Sequence, residues 1–105
     1  MDVVIGIDSS TTATKAVAFN SEGRQVAVGR SAIERRTVNG TWHEQDPREW
    51  WSSTAKALTA VAAELTASGY RARAIGITHQ RESFACLDEN FAPVRPAILW
   101  LDARA

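Results

Sequence analysis

With a single cysteine, Cys86, this 105-residue chain cannot form an internal disulfide, so no covalent staple supports its fold. A surplus of one charge is missing too, since twelve Lys and Arg offset twelve Asp and Glu. No overall field then favours nucleic acid, an anionic membrane or a cationic partner, and any recognition of charge has to be local. No apolar run approaches the roughly 18 residues that cross a bilayer, and no basic segment leads into a signal-like apolar core. These absences set the expectation of a cytoplasmic protein with no nucleic-acid or membrane role. No internal repeat, linker or low-complexity tract is visible. What is present is 45% hydrophobic residues, enough for one domain with a modest core.

Val3-Val4-Ile5-Gly6-Ile7 is an apolar, β-branched run ending at Asp8, which predicts a strand buried on both faces in the middle of a sheet. Thr14 to Phe19 predicts a second strand, the turn residues Asn20-Ser21-Glu22-Gly23 follow, and Gln25 to Val28 predicts a third that continues toward Ile33. Thr37 to Asp46 reads as a loop. Asp46-Pro47-Arg48-Glu49 predicts a helix start, with an N-cap, a proline at the first helical position and a glutamate three residues past the cap. Trp50, Thr54, Ala57, Leu58, Val61 and Leu65 give that helix one apolar stripe, and Ser68-Gly69 ends it. Trp51 falls beside the stripe and is expected to cover the loop holding Trp42. Arg73 to Thr78 predicts a strand reached by crossover, hence parallel to the first. Ser83 to Leu87 and Pro96 to Leu101 predict two more around the turn Asp88-Glu89-Asn90. Ala97 to Ala105 reads as a strand entering a polar turn, and the chain is expected to be cut rather than completed.

An α/β order of three antiparallel strands, a helix and a strand parallel to the first resembles the ribonuclease-H-like fold. That fold underlies the actin, hexokinase and chaperone-ATPase superfamily; the expectation is a mixed sheet, incomplete here.

Three stretches can carry chemistry. In Gly6-Ile7-Asp8-Ser9-Ser10-Thr11-Thr12-Ala13-Thr14-Lys15 a tight turn between strands points backbone N–H groups into one concavity, and small residues admit an anion. Hydroxyls at Ser9, Ser10, Thr11, Thr12 and Thr14 add donors, Lys15 adds charge, and Asp8 can hold a water on magnesium. The plainer alternative is a hairpin turn rich in hydroxyl residues. An aspartate closing a central strand favours the phosphate cradle, because ligands gather at such sheet edges. Thr78-His79-Gln80-Arg81-Glu82-Ser83 follows the parallel strand and is expected beside that turn. Its guanidinium, carboxylate and amide can grip vicinal hydroxyls of a sugar or polyol, or form only a solvated turn. His79 alone carries no argument. In Leu99-Trp100-Leu101-Asp102 the tryptophan is either core or an apolar wall for a ligand.

Taken together, "GIDSSTTATKAVAF", "WHEQDPREWW", "IGITHQRESF" and "RPAILWLDAR" occur in the order and at roughly the spacing of the N-terminal segment of the FGGY carbohydrate kinases. The resemblance covers essentially the whole chain, which would make residues 1–105 part of that family's N-terminal domain. It implies ATP-dependent, magnesium-assisted phosphorylation of a small sugar or polyol in a cleft between two domains. Asp8, Ser10, Thr11, Thr12 and Lys15 then match the phosphate turn, with Asp8 near the metal. Gln80, Arg81, Glu82, Trp100 and Asp102 match the substrate side. Ser10 stands where the family usually has glycine, and His79 where glycerol kinase has asparagine. Arg81-Glu82 is like glycerol kinase, whereas Leu101-Asp102 is nearer to xylulokinase, so substrate identity and oligomeric state stay open.

The family's catalytic base and adenosine motifs have no counterpart in this chain, which is expected to be inactive alone. A non-enzymatic actin- or chaperone-like nucleotide-binding module and a ribonuclease-H-like nuclease are the alternatives. The nuclease needs further carboxylates converging on two metals, and the parallel strand here ends in His79-Gln80-Arg81.

Overall fold

The computed structural model describes residues 1–104, so Ala105, the last residue of the expected polar turn, lies outside it. The elements follow as β1 (Asp2–Ser9), β2 (Ala13–Asn20), β3 (Gln25–Ala32), β4 (Arg36–Val38), β5 (Trp42–Gln45), α1 (Arg48–Ser68), β6 (Arg71–His79) and β7 (Ala97–Ile98). One sheet has the order β3-β2-β1-β6 and a smaller one β4-β5-β7. β1 runs antiparallel to β2, which runs antiparallel to β3, while β6 pairs parallel with β1. The Asn20 turn is built as its residues suggest: Asn20 Oδ1 accepts the Glu22 and Arg24 N–H groups.

Packing places α1 over β2 and β3. Val3, Ile5 and Ile7 of β1, Ala16 and Ala18 of β2, Ala27 of β3, and Ala57, Val61 and Leu65 of α1 form the core. Gly29 permits that approach, because a Cβ there would sit 2.2 Å from the Ala57 carbonyl oxygen. Gly69 ends α1 at φ 73°, the left-handed conformation glycine adopts without strain.

Several expectations need correction. β1 is buried on one face only: Val3, Ile5, Ile7 and Ser9 are inward, while Val4, Gly6 and Asp8 are exposed. Among the described residues a single helix covers this sheet, and none of them layers the opposite face. The segment read as a loop from Thr37 to Asp46 contains the β4–β5 hairpin, whose three-residue turn 39–41 holds Asn39 and Gly40 at left-handed φ of 52° and 71°, a conformation that asparagine and glycine adopt most readily. The regular α1 ladder is counted from Arg48, but Pro47 is already helical at φ −60° and ψ −21°, and Asp46 Oδ1 accepts the Arg48 N–H at 3.0 Å as the expected N-cap does. Ser53 replaces Thr54 on the buried stripe, Trp50 is half-buried, and Trp51 is 71% exposed rather than covering Trp42. The Arg104 guanidinium lies 4.2 Å from the centre of the Trp42 ring. Ser83 to Leu87 forms only isolated bridges, and of the last expected strand only Ala97–Ile98 pairs, with β5. None of the helices among the described residues is long and apolar enough to cross a membrane.

Candidate functional site

The parallel pairing of β1 with β6 brings their C-terminal ends to one edge, where Asp8 lies opposite Thr78 and Ser9 opposite His79. One further bond, Gln80 N–H to Ser9 O at 3.1 Å, carries the ladder to the mouth of a hollow. Asp8, Ser10, Thr11, His79, Gln80, Arg81, Glu82 and Trp100 line this cavity of about 410 Å³. Two stretches that are about seventy positions apart in the chain therefore face each other, joined by a third at Trp100.

On the turn side, the pleat sorts the hydroxyls. Ser9 and Thr14 point to the core, where Thr14 Oγ1 and Ser53 Oγ share a hydrogen bond of 2.6 Å under α1; they are structural and not donors to a ligand. Ser10 and Thr11 line the cavity, and Ser10 Oγ–H donates to Asp8 Oδ1 at 2.8 Å, so its side chain joins the turn instead of blocking it. The Ser10 N–H is taken by Ala13 O, while the Thr11 and Thr12 N–H groups make no hydrogen bond among the described residues. The turn thus presents two free amides of the kind that receive an anion. Thr12 is exposed but outside the cavity lining. Lys15 is likewise outside it, exposed on β2 directly across from Asp8.

On the opposite side, Glu82 holds a left-handed φ of 62°. A non-glycine residue there costs on the order of 1 kcal/mol or more and persists where its surroundings impose it. Arg81 and Glu82 sit side by side at the rim. Trp100 is 53% exposed and is a wall residue, not core. Its neighbour Leu99 is fully buried and anchors it.

Asp102 is not brought to the cavity. It is buried, its carboxylate accepting the His43 N–H at 2.7 Å and three bonds from Arg104, two from the guanidinium and one from the backbone N–H. The Arg104 hydrogen bond is the main reason its carboxyl lies well below the usual carboxylate range, and Arg104 is correspondingly held protonated. Glu44 is lowered in the same way, first by the hydrogen bond from Arg104. This cluster fastens the chain after Trp100 to β5.

Sequence reasoning gives Gln45 no role, and His79, which carries no argument by itself, lines the cavity. Gln45 is buried, bonds the cavity residues Gln80 and Thr11 as well as Trp50, and itself borders a second cavity. The Asn39-Gly40 turn was the available signal, since it implies a strand through Gln45. His79 packs edge-on against Trp50, with centroids 4.7 Å apart. A larger cavity of about 470 Å³ lies between Glu34–Arg36, the start of α1 and Pro93–Pro96. Its Arg36, Arg48 and Arg95 are each paired with Glu44 or Asp46, so most of its charge is already compensated.

Comparison with known proteins decides what family this geometry belongs to. The profile of the FGGY family of carbohydrate kinases, N-terminal domain, matches residues 3–105. The chain belongs to the FGGY carbohydrate kinases. Among similar FGGY proteins, a glycerol kinase of Aquifex aeolicus is 39% identical over 105 residues, covering 99% of this chain and 21% of that protein. A xylulose kinase of Streptomyces rubiginosus is 36% identical over 104 residues, covering 98% of this chain and 20% of its own. The crystal structure of a xylulose kinase from Rhodospirillum rubrum superposes with a TM-score of 0.91 at 29% identity, over 97% of this chain and 21% of that one. The structure of Plasmodium falciparum glycerol kinase with ADP gives 0.86 at 30% identity, over 99% of this chain and 21% of that one. This FGGY chain therefore spans about a fifth of the length of the relatives it matches, and it shares their fold over that span.

Proposed function

We propose that this chain is the N-terminal part of an ATP-dependent carbohydrate kinase and forms one side of its active cleft. The carrying observation is the single cavity that joins the Asp8–Thr11 turn to Gln80, Arg81, Glu82 and Trp100. The β3-β2-β1-β6 order, with its parallel crossover strand, supports the ribonuclease-H-like reading of the domain.

In this reading the Thr11 and Thr12 amides receive phosphate oxygens, with Lys15 adding positive charge from across Asp8, while the Ser10 hydroxyl stays on Asp8 and the Thr11 hydroxyl on Gln80, each shaping the turn. Magnesium supplies charge neutralisation for phosphoryl transfer. Asp8 offers one carboxylate, and no group of three His, Cys, Asp or Glu occurs among the described residues. That donor set fits a hydrated magnesium held chiefly by phosphate and water, with Asp8 as its one protein anchor. Arg81 and Glu82 supply donors and acceptors for neighbouring hydroxyls of a sugar or polyol, Gln80 an amide, and Trp100 an apolar face. Asp102 acts at one remove, by fixing the turn after Trp100. The group that accepts the hydroxyl proton lies in the part of the kinase beyond this chain, so these residues bind and orient; phosphoryl transfer rewards that positioning above all.

ADP release by the full-length kinase, measured with ATP over glycerol, D-xylulose and a panel of other polyols and ketoses, tests the proposal. Release that depends on one carbohydrate is expected. ATP turnover indifferent to every carbohydrate would overturn it.

A further inference from the structure

Bonded to two residues of the cavity lining, one buried amide holds three separate segments. Gln45 is 2% exposed. Its Oε1 accepts the Trp50 Nε1–H at 2.8 Å and the Gln80 Nε2–H at 3.1 Å, and its Nε2–H donates to the Thr11 backbone carbonyl. An indole N–H can only donate and a carbonyl oxygen can only accept, so these partners fix which end of the Gln45 amide points where. The bonds continue around a ring. Gln80 Oε1 accepts from Thr11 Oγ1 at 3.4 Å and from Ser83 Oγ at 2.8 Å. Ser83 Oγ accepts the Trp100 backbone N–H, and the Trp100 Nε1–H returns to Thr11 Oγ1, both at 3.1 Å.

We propose that Gln45 is a positioning residue that sets the spacing between the turn at Thr11 and the wall formed by Gln80 and Trp100. The functional consequence rests on the kinase reading above. Thr11 and Gln80 follow strands of the large sheet, whereas Gln45 belongs to β5 of the small sheet, where it pairs with Ala97. Gln45 therefore ties the two sheets together at the point where phosphate and carbohydrate must meet. The role needs two accepted bonds and one donated bond from one side-chain end. A leucine of similar size offers none of these, and an ionised glutamate accepts but cannot donate.

The test compares Q45L and Q45E in the full-length kinase, with ATP and whichever of glycerol or D-xylulose supports ADP release by the unaltered enzyme. For Q45L, kcat falls roughly 10- to 100-fold, the effect of reacting groups held slightly out of place. The dissociation constants for ADP and the carbohydrate, each measured alone, stay within about threefold. A lowered melting temperature with kcat within about twofold of the unaltered enzyme would mean support of the fold only, and would overturn the proposal. A second readout needs no turnover: the indole N–H resonances of Trp50 and Trp100 by NMR. Q45L moves both. Q45E keeps the acceptor facing Trp50 and Gln80 but sets a carboxylate against the Thr11 carbonyl, so the Trp100 resonance moves and that of Trp50 stays. An unmoved Trp100 resonance in Q45E overturns the proposal, and Q45E carries both readouts if Q45L does not fold. An unaltered protein that phosphorylates neither these two compounds nor any other carbohydrate of the panel counts against the kinase reading alone, and the Trp100 resonance then decides on Gln45.

Discussion

β2 and β6 flank the same strand, and their apolar residues meet opposite fates. In β2, Ala16 and Ala18 are fully buried under α1. In β6 every residue is exposed, including Ile75 at 51% and Ile77 at 73%. Backbone pairing with β1 runs the length of both neighbours, broken on the β6 side only by a register shift between Val3 and Val4, well away from Ile75 and Ile77, so the difference is not one of hydrogen bonding. It comes from where α1 lies: its buried face rests on β2 and β3, drawn there by the gap at Gly29. An apolar strand thus reports the burial its sequence suits, and the topology decides whether a given stretch of chain supplies it.

The largest break in this contrast should come from one methyl group placed on either side. Gly29→Ala drives a Cβ into the Ala57 carbonyl and should cost about 1–3 kcal/mol through displacement of α1. Gly76→Ala, on β6 with nothing within 4 Å of the added Cβ, should change stability by less than about 0.5 kcal/mol. Urea unfolding of the two variants measures this, and equal losses would contradict the packing account.

An intermediate effect is expected at the Arg104 cluster. Asp102 and Glu44 both have depressed folded pKa values, with Arg104 hydrogen bonding as the leading cause. Their contribution is therefore complete above the unfolded values near 4 and lost as pH falls through the folded ones. Stability should be level from neutral to about pH 5 and decline below about pH 4. Arg104→Ala should lower the melting temperature at pH 7 and flatten that acid decline; an unchanged acid limb would remove the cluster from the account.

The smallest effect is expected at the uncovered strand. Ile77→Lys should alter the unfolding free energy by less than about 0.5 kcal/mol, because Ile77 is 73% exposed. A large loss in urea unfolding would show that β6 is covered in solution.

The same contrast explains what could be read from the residues. β1, β2, β3, α1 and β6 were legible because each has a period or a strong punctuation signal: Asn20-Gly23, Asp46-Pro47 and Ser68-Gly69. The burial of β1 on both faces was not, because its apolar run does not say how many layers will cover it. β4 and β5 are too short for periodicity to separate from loop, and only Asn39-Gly40 marked them. In the site, the meeting of Asp8 with Gln80, Arg81 and Glu82 followed from parallel pairing of two strands, which sequence order implies. The inward turn of Ser9 and Thr14 depends on the pleat, and the withdrawal of Asp102 depends on Arg104, a partner two residues away that composition does not single out.

The central claim is that one cavity holds a phosphate side at Asp8 and a carbohydrate side at Arg81. Measuring kcat and carbohydrate dissociation constants for Asp8→Ala and Arg81→Ala in the full-length kinase tests it most directly. The account predicts a split: Asp8→Ala collapses kcat with carbohydrate affinity nearly unchanged, and Arg81→Ala weakens carbohydrate binding by about 1–3 kcal/mol, as for a lost charged hydrogen-bond partner. Unaltered turnover in Asp8→Ala together with unaltered affinity in Arg81→Ala would contradict it.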